Sequence, residues 1–260
     1  MQTIAICNQK GGVGKTTTAI HLAAGAAEAG HRVLLVDLDP QANATSGLGL
    51  EIIQGKSLYP VLIGNSHALD MLQPSRQENL QILSSEMDLA GAEMELATLE
   101  NPLLRVRDAL APLRHDPAFD LVILDCPPSV GLLMTSALIA ADKILIPVQC
   151  EYFALEGVGK ILSLIERIKQ GDHNPSLSVL GIALTMYDTR TRLSQQVSQD
   201  LRTHLGEQVF RTIIPRSVRL AEAPSHGQTI YEYDNSGAAA ASYRQLTTEL
   251  LSRLGFASPP

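Results

Sequence analysis

Lys10-Gly11-Gly12-Val13-Gly14-Lys15-Thr16-Thr17 stands between an apolar run at residues 3–7 and a helical pattern that starts at Thr16. Strand, glycine loop, lysine, hydroxyl and helix, in that order, describe a phosphate-binding loop. In such a loop backbone N–H groups and a helix N-terminus converge on phosphate oxygens, Lys15 reaches the β and γ groups, and the Thr16 hydroxyl suits Mg²⁺. Gly11, Gly12, Val13, Gly14 and Thr17 supply the rest of the cradle. The common form of this loop would place its first glycine at position 9, which is Gln9 here. Instead a second lysine, Lys10, lies just inside the loop.

Outward from the loop, short apolar runs recur at residues 33–36, 80–83, 121–124, 143–148 and 178–186. They do not alternate with polar residues, so both faces of each strand should be covered. Helical patterns fall between them, at residues 16–29, 88–98, 103–113, 131–140, 153–170, 192–205 and 237–254. Together these predict an α/β fold, a doubly wound and mostly parallel sheet with helices on both faces, in one domain spanning 1–260. Residues 43–79, rich in glycine and serine, read as the least regular stretch.

Ligands of such sheets bind beyond the carboxyl ends of the strands. Asp37 and Asp39 end the second run, and while the chain stays extended their spacing puts both carboxylates on one side. A carboxylate there can orient the water that attacks a γ-phosphate, and Asp39, before Pro40, is the stronger candidate. The run at 121–124 ends in Asp125-Cys126-Pro127-Pro128. Four apolar residues and a terminal aspartate are the pattern that holds a magnesium shell, and the two prolines force a loop next to it.

The chain carries a net charge of −7, which by itself argues against a nucleic-acid binder. Yet between Thr189 and Arg219 six arginines (190, 192, 202, 211, 216 and 219) face only Asp200 and Glu207, a local +4 that leaves −11 on the remainder. A cationic surface on an acidic body follows if folding gathers those arginines. Cys7, Cys126 and Cys150 each sit in or beside an apolar run and read as reduced core thiols. No apolar run reaches the 18 or so residues needed to span a membrane. Met1 leads directly into the first strand, so neither a signal peptide nor a helix-turn-helix extension is expected.

Five stretches resemble the deviant Walker A ATPases, specifically the ParA/Soj partitioning family. They are 9–17, Val36-Asp37-Leu38-Asp39-Pro40-Gln41-Ala42-Asn43, Asp125-Cys126-Pro127-Pro128-Ser129, 149–157 with its Glu151-Tyr152-Phe153, and 214–227 with its Pro215-Arg216-Ser217-Val218-Arg219. The resemblance implies a P-loop NTPase that binds ATP and Mg²⁺ and forms an ATP-dependent homodimer around two nucleotides. Lys10 would cross to the partner's nucleotide, Lys15 and Thr16 would serve the chain's own, Asp39 would assist water and Asp125 the metal. Pro215 and Ser217 match the stretch along the adenine, where relatives often carry asparagine in place of Ser217. Arg190, Arg216 and Arg219 match positions used for non-specific double-stranded DNA, with Arg192 and Arg202 as additions. A ParB/Spo0J-type centromere-binding protein would stimulate hydrolysis, and the setting would be cytoplasmic and nucleoid-associated.

Three rival readings share parts of the pattern. A MinD-like positioning ATPase should end in a basic amphipathic helix for membrane surfaces. Here Leu246, Leu250 and Leu254 share a face with only Arg244 and Arg253 nearby, before a stop at residues 255–260, which reads as core packing and no membrane contact. An iron–sulfur ATPase needs a second cluster cysteine in a glycine-rich context, and none accompanies Cys126. A scaffold that binds ATP without turnover would not require Lys10, Lys15, Thr16, Asp39 and Asp125 together.

Overall fold

The computed structural model describes residues 1–115 and 118–256. Eight strands form one sheet: β1 (Gln2–Ile6), β2 (Val33–Asp37), β3 (Leu72–Pro74), β4 (Leu80–Leu83), β5 (Leu121–Asp125), β6 (Lys143–Gln149), β7 (Ser178–Tyr187) and β8 (Val209–Pro215). Their order is β3-β4-β2-β5-β1-β6-β7-β8, and every pairing is parallel except β3 with β4. The expected doubly wound sheet is therefore present. Two strands were not anticipated: the antiparallel edge β3, and β8, whose apolar run is interrupted by Arg211 and Thr212. The stretch 43–79 is also more ordered than expected, with helical turns at Asn43–Gly47, Leu58–Leu62 and Ala68–Met71.

Seven longer helices cover the sheet: α1 (Lys15–Glu28), α2 (Leu89–Leu96), α3 (Arg105–His115), α4 (Leu132–Ala140), α5 (Ala154–Gln170), α6 (Arg192–Leu205) and α7 (Ala238–Arg253). The side-chain alternation of β1 shows how the layers divide. Ala5 and Cys7 join the core beneath α2 to α6, whereas Ile4 and Ile6 join the core beneath α1 and α7. Burial on both faces explains why the central strands read as unbroken apolar runs. All three cysteines are buried and unpaired, as core thiols should be. Leu246 and Leu250 of α7 are fully buried and Leu254 packs beside them, so this helix spends its apolar face on the core. Residues 257–260 of the expected chain stop lie outside the described residues. No helix among the described residues is long and apolar enough to cross a membrane.

Helix α1 is buried along nearly its whole length, and alanines allow it to lie close to α7. At Gly25 an added Cβ would stand 2.5 Å from the Thr247 hydroxyl, so only glycine permits that approach. One turn nearer the loop, His21 ties α1 to the segment before α7. Its Nδ1 lies 2.6 Å from the Thr17 carbonyl and its Nε2 accepts the Ile230 N–H at 2.8 Å. A carbonyl only accepts and an amide only donates, so the ring is the neutral Nδ1–H tautomer. Burial holds its pKa down at about 4, against a smaller opposing effect of the Thr17 carbonyl.

A histidine whose folded pKa is depressed adds stability that is complete above about 6.5 and is lost as pH falls toward 4. Here that amounts to about 3 kcal/mol. Asp37, raised by burial to about 6, works in the opposite sense between pH 4 and 6, because its unfolded carboxyl gives up the proton first. Replacing His21 by asparagine removes only the first effect. Urea melts should therefore show the variant's deficit shrinking by about 2–3 kcal/mol between pH 7 and pH 4.5. A deficit that stays constant over that range would show that His21 is not buried neutral.

Candidate nucleotide site and cationic surface

The five central strands deliver their carboxyl ends to one edge. Asp125 lies opposite Ile6 on one side and opposite Asp37 on the other, so β5 brings its aspartate between the glycine loop and the end of β2. Gly14 takes φ 82, a left-handed conformation that a side chain disfavours, and it leads into α1 with no side-chain cap. The first-turn N–H groups of α1 are thus left for an anion, which the helix dipole also favours.

Lys15 is buried, with its Nζ 3.3 Å from the Lys10 carbonyl. Burial lowers its pKa, and the charges of Asp125, Cys126, Asp39 and Cys7 pull the other way. Asp125 is fully buried, and among the described residues neither of its oxygens has a hydrogen-bond partner. Its pKa is raised well above the carboxylate range, first by burial and then by Asp37. The Thr16 hydroxyl is near enough to offset part of that rise, and Asp39 adds to it. Orphaned carboxylate oxygens beside a hydroxyl form an all-oxygen donor set of the kind Mg²⁺ takes, and a cation is what such a buried group lacks. The residues present fit the ion.

Asp37 and Asp39 do not share a side. The strand ends at Asp37, which turns inward and is fully buried, accepting the N–H of Asp39 at 3.2 Å and both the N–H and the hydroxyl of Thr45 at 2.9 and 2.8 Å. Asp39 is also buried, 8% exposed, but less tightly held. Its Oδ1 accepts the Gln41 N–H at 3.0 Å, and its other oxygen has no protein partner among the described residues. Asp37 is thus tied up by its own loop, while Asp39 keeps one carboxylate oxygen without a partner among the described residues.

The two lysines of the loop separate in the same way. While Lys15 points inward, Lys10 lies on the open side, 38% exposed, with its Nζ 2.6 Å from Glu151 at the end of β6. Sequence reasoning quoted Glu151 and gave it no role. Exposed apolar side chains surround this edge of the sheet: Val130 after β5 and Tyr152 and Phe153 after β6.

Between the loop and the end of β8 is a cavity of about 400 Å³ lined by Gly14, Thr17, Thr185, Met186, Pro215 and Ser217 among others. That is ample for a nucleoside, and the lining is mostly apolar, as base recognition requires. Met186 adopts φ 50 there, a strained conformation held by its surroundings. Pro215 and Ser217 line this cavity together with Gly14 and Thr17 of the loop.

The arginine-rich segment divides in two. Tyr187 pairs with Pro215, so the turns carrying Arg190, Arg192, Arg216 and Arg219 emerge side by side from β7 and β8, all exposed. Two of the four are already engaged. Arg190 grips Asp188 through two contacts of 2.9 and 2.7 Å, which hold that carboxyl down at about 2. Arg219 reaches Glu222 at 3.1 Å and lies over the Tyr233 ring. Arg202 does not belong with them. It sits toward the opposite end of the strands and donates to the Phe210 and Arg211 carbonyls at 3.1 and 3.2 Å, covering the open edge of β8. Together with Arg211, Arg253 and Lys143 it lines a groove of about 830 Å³, in which the Arg202 and Arg253 guanidinium groups donate to backbone carbonyls.

Known proteins share this arrangement. A family model described as an AAA domain matches residues 1–179. The chromosome-partitioning ATPase Soj of Thermus thermophilus is 49% identical over 98% of this chain and 97% of its own length. The chromosome partitioning protein ParA of Caulobacter vibrioides is 44% identical over 97% and 95%. Among solved structures, a Mycobacterium smegmatis protein titled cobyrinic acid a,c-diamide synthase, with bound ATP analogue and magnesium, is 35% identical, with a TM-score of 0.84 over 100% of this chain and 98% of that one. The loop with two lysines, the orphaned Asp125 and these full-length identities agree: the chain belongs to the ParA/Soj family of chromosome-partitioning ATPases, and it is an ATP-hydrolysing enzyme that uses Mg²⁺.

Proposed function

We propose that the protein is an ATP-controlled segregation switch. ATP joins two copies face to face, the pair holds double-stranded DNA without sequence preference, and hydrolysis stimulated by a ParB/Spo0J-type protein separates them. It acts in the cytoplasm on the nucleoid.

The observation that carries this reading is the division of labour between the lysines. Lys15 already serves the chain's own phosphates from a buried position, so Lys10 is redundant there and faces outward instead. An ammonium delivered by a second copy neutralises charge developing on the γ-phosphoryl group as an arginine finger does, and only in the dimer. Within each copy Asp39 orients the attacking water, Lys15 offsets charge on the transferred group, and the N-terminus of α1 holds the phosphates. Thr16 and Asp125 would hold Mg²⁺, which when bound would offset the negative charge on the phosphate oxygens. Pro215 and Ser217 close over the base. Arg190, Arg192, Arg216 and Arg219 supply phosphate contacts, which give affinity without reading sequence.

Light scattering with ATP, ADP and no nucleotide tests this. The wild type should double in mass only with ATP, and Lys10→Ala should bind ATP yet remain single. Dimerisation that ignores the nucleotide, or that survives in Lys10→Ala, sinks the reading.

A further inference from the structure

Three side chains far apart in sequence close a buried ring around Asp39. Asp37 Oδ1 accepts the Asp39 N–H at 3.2 Å, and Asp37 Oδ2 accepts the Thr45 hydroxyl at 2.8 Å. The Thr45 hydroxyl in turn accepts the Ser85 N–H at 3.1 Å, and the Ser85 hydroxyl donates to the Asp39 carbonyl at 2.7 Å. Both backbone polar groups of Asp39 are thereby held, one from each direction. Asp37, Thr45 and Ser85 are essentially inaccessible to solvent, so no water competes for these bonds and each is stronger than at a surface. The ring is anchored at the ends of β2 and β4, paired strands inside the sheet. Three residues beyond Asp39, Ala42 is forced to φ 51, a conformation that persists only where the surroundings over-determine it.

We propose that Thr45 and Ser85 are positioning residues for ATP hydrolysis. They fix the backbone of Asp39 so that its free oxygen addresses the water in front of the γ-phosphate. The inference rests on the assignment of Asp39 as the water-orienting group. Fixing a reacting group by its backbone, from two directions, is the pre-organisation that hydrolysis needs and that tight binding of ATP does not. The ring should therefore act on turnover and leave affinity alone.

Steady-state ATPase assays on Asp39→Ala, Thr45→Val, Thr45→Ser and Ser85→Ala, beside binding of a non-hydrolysable ATP analogue, separate the cases. Thr45→Val keeps the shape and deletes the hydroxyl, so kcat should fall by about 10- to 100-fold while KM and analogue affinity stay within about twofold. Ser85→Ala should lose about tenfold in kcat, and Thr45→Ser, which keeps the hydroxyl, should recover most of the rate. Should Thr45→Val not fold, as judged by circular dichroism, Ser85→Ala decides by the same split. Wild-type turnover in Thr45→Val or Ser85→Ala while Asp39→Ala is inactive overturns the positioning role alone. So does a loss in which analogue affinity falls in step with kcat. Full activity in Asp39→Ala overturns the assignment of Asp39 and this inference with it.

Discussion

Replacing Lys15 by alanine should cut ATP turnover by about 10²- to 10³-fold, the usual effect of removing one pre-organised charge from a phosphoryl-transfer site. The structure gives the reason and a second consequence. Lys15 is the cation whose charge reaches Asp125 and Asp39 within this buried edge. Without it Asp125 and Asp39 lose the cation that offsets them, so the site's attraction for another cation rises. Magnesium should then be needed at no higher concentration than in the wild type to reach half of the residual rate. Arginine at position 15 should not restore activity, because a planar guanidinium does not fit a space that holds a single ammonium against the Lys10 carbonyl. Measured kcat against Mg²⁺ concentration checks both statements. A Lys15→Ala protein retaining more than a tenth of wild-type kcat would contradict them.

Charge reversal at Arg219 should abolish detectable co-sedimentation with DNA, a loss of more than about tenfold in affinity at 0.1 M salt, while ATP binding persists. Reversal removes one phosphate contact and places a carboxylate in its stead. The plot of log affinity against log salt should become shallower by about one unit per lost contact. Pairing within the chain makes a sharper claim. Arg190 is tied in a bidentate grip to Asp188, so its charge is largely cancelled before any DNA arrives. Asp188→Asn should therefore strengthen DNA binding several-fold, whereas Arg190→Ala should weaken it less than Arg216→Ala, for which no such carboxylate grip exists among the described residues. DNA binding unaltered by both Arg219→Glu and Asp188→Asn would place the interface elsewhere.

Local signals made the core of this molecule readable in advance. The glycine loop, the strand ending at Asp125 and the helices from 16 to 254 announce themselves by spacing, because each depends on neighbours in sequence. What was hidden depends on partners far away. Strand β8 was missed because an edge strand keeps polar residues on its open side, and Arg211 and Thr212 broke the apolar run that marks a buried strand. Asp37 reads as a second, weaker candidate on the same side as Asp39, and only the turn after it, where Thr45 claims its oxygens, separates the two. Ser85 and Thr45 carry no motif of their own. The one clue was that Ser85 follows β4 at the carboxyl end of the sheet, where ligand chemistry gathers. The six arginines were visible as a count, but only the pairing of β7 with β8 separates the four at one end from the two that guard an edge.

The contact between Lys10 and Glu151 also bears on how fast such a switch can respond. Both side chains are more than a third exposed, and an ion pair in that setting is worth no more than about 1 kcal/mol, less in cellular salt. That is within about twice the thermal energy, so in a population of free molecules a sizeable share have the lysine already detached at any instant. Side chains at a surface exchange such partners within nanoseconds. In the proposed ATP-dependent dimer, a second nucleotide-bound copy would thus find the ammonium available without any prior opening step. The rate of that proposed pairing would then be set by how often two loaded molecules meet, and would scale with their concentration rather than with the release of a latch.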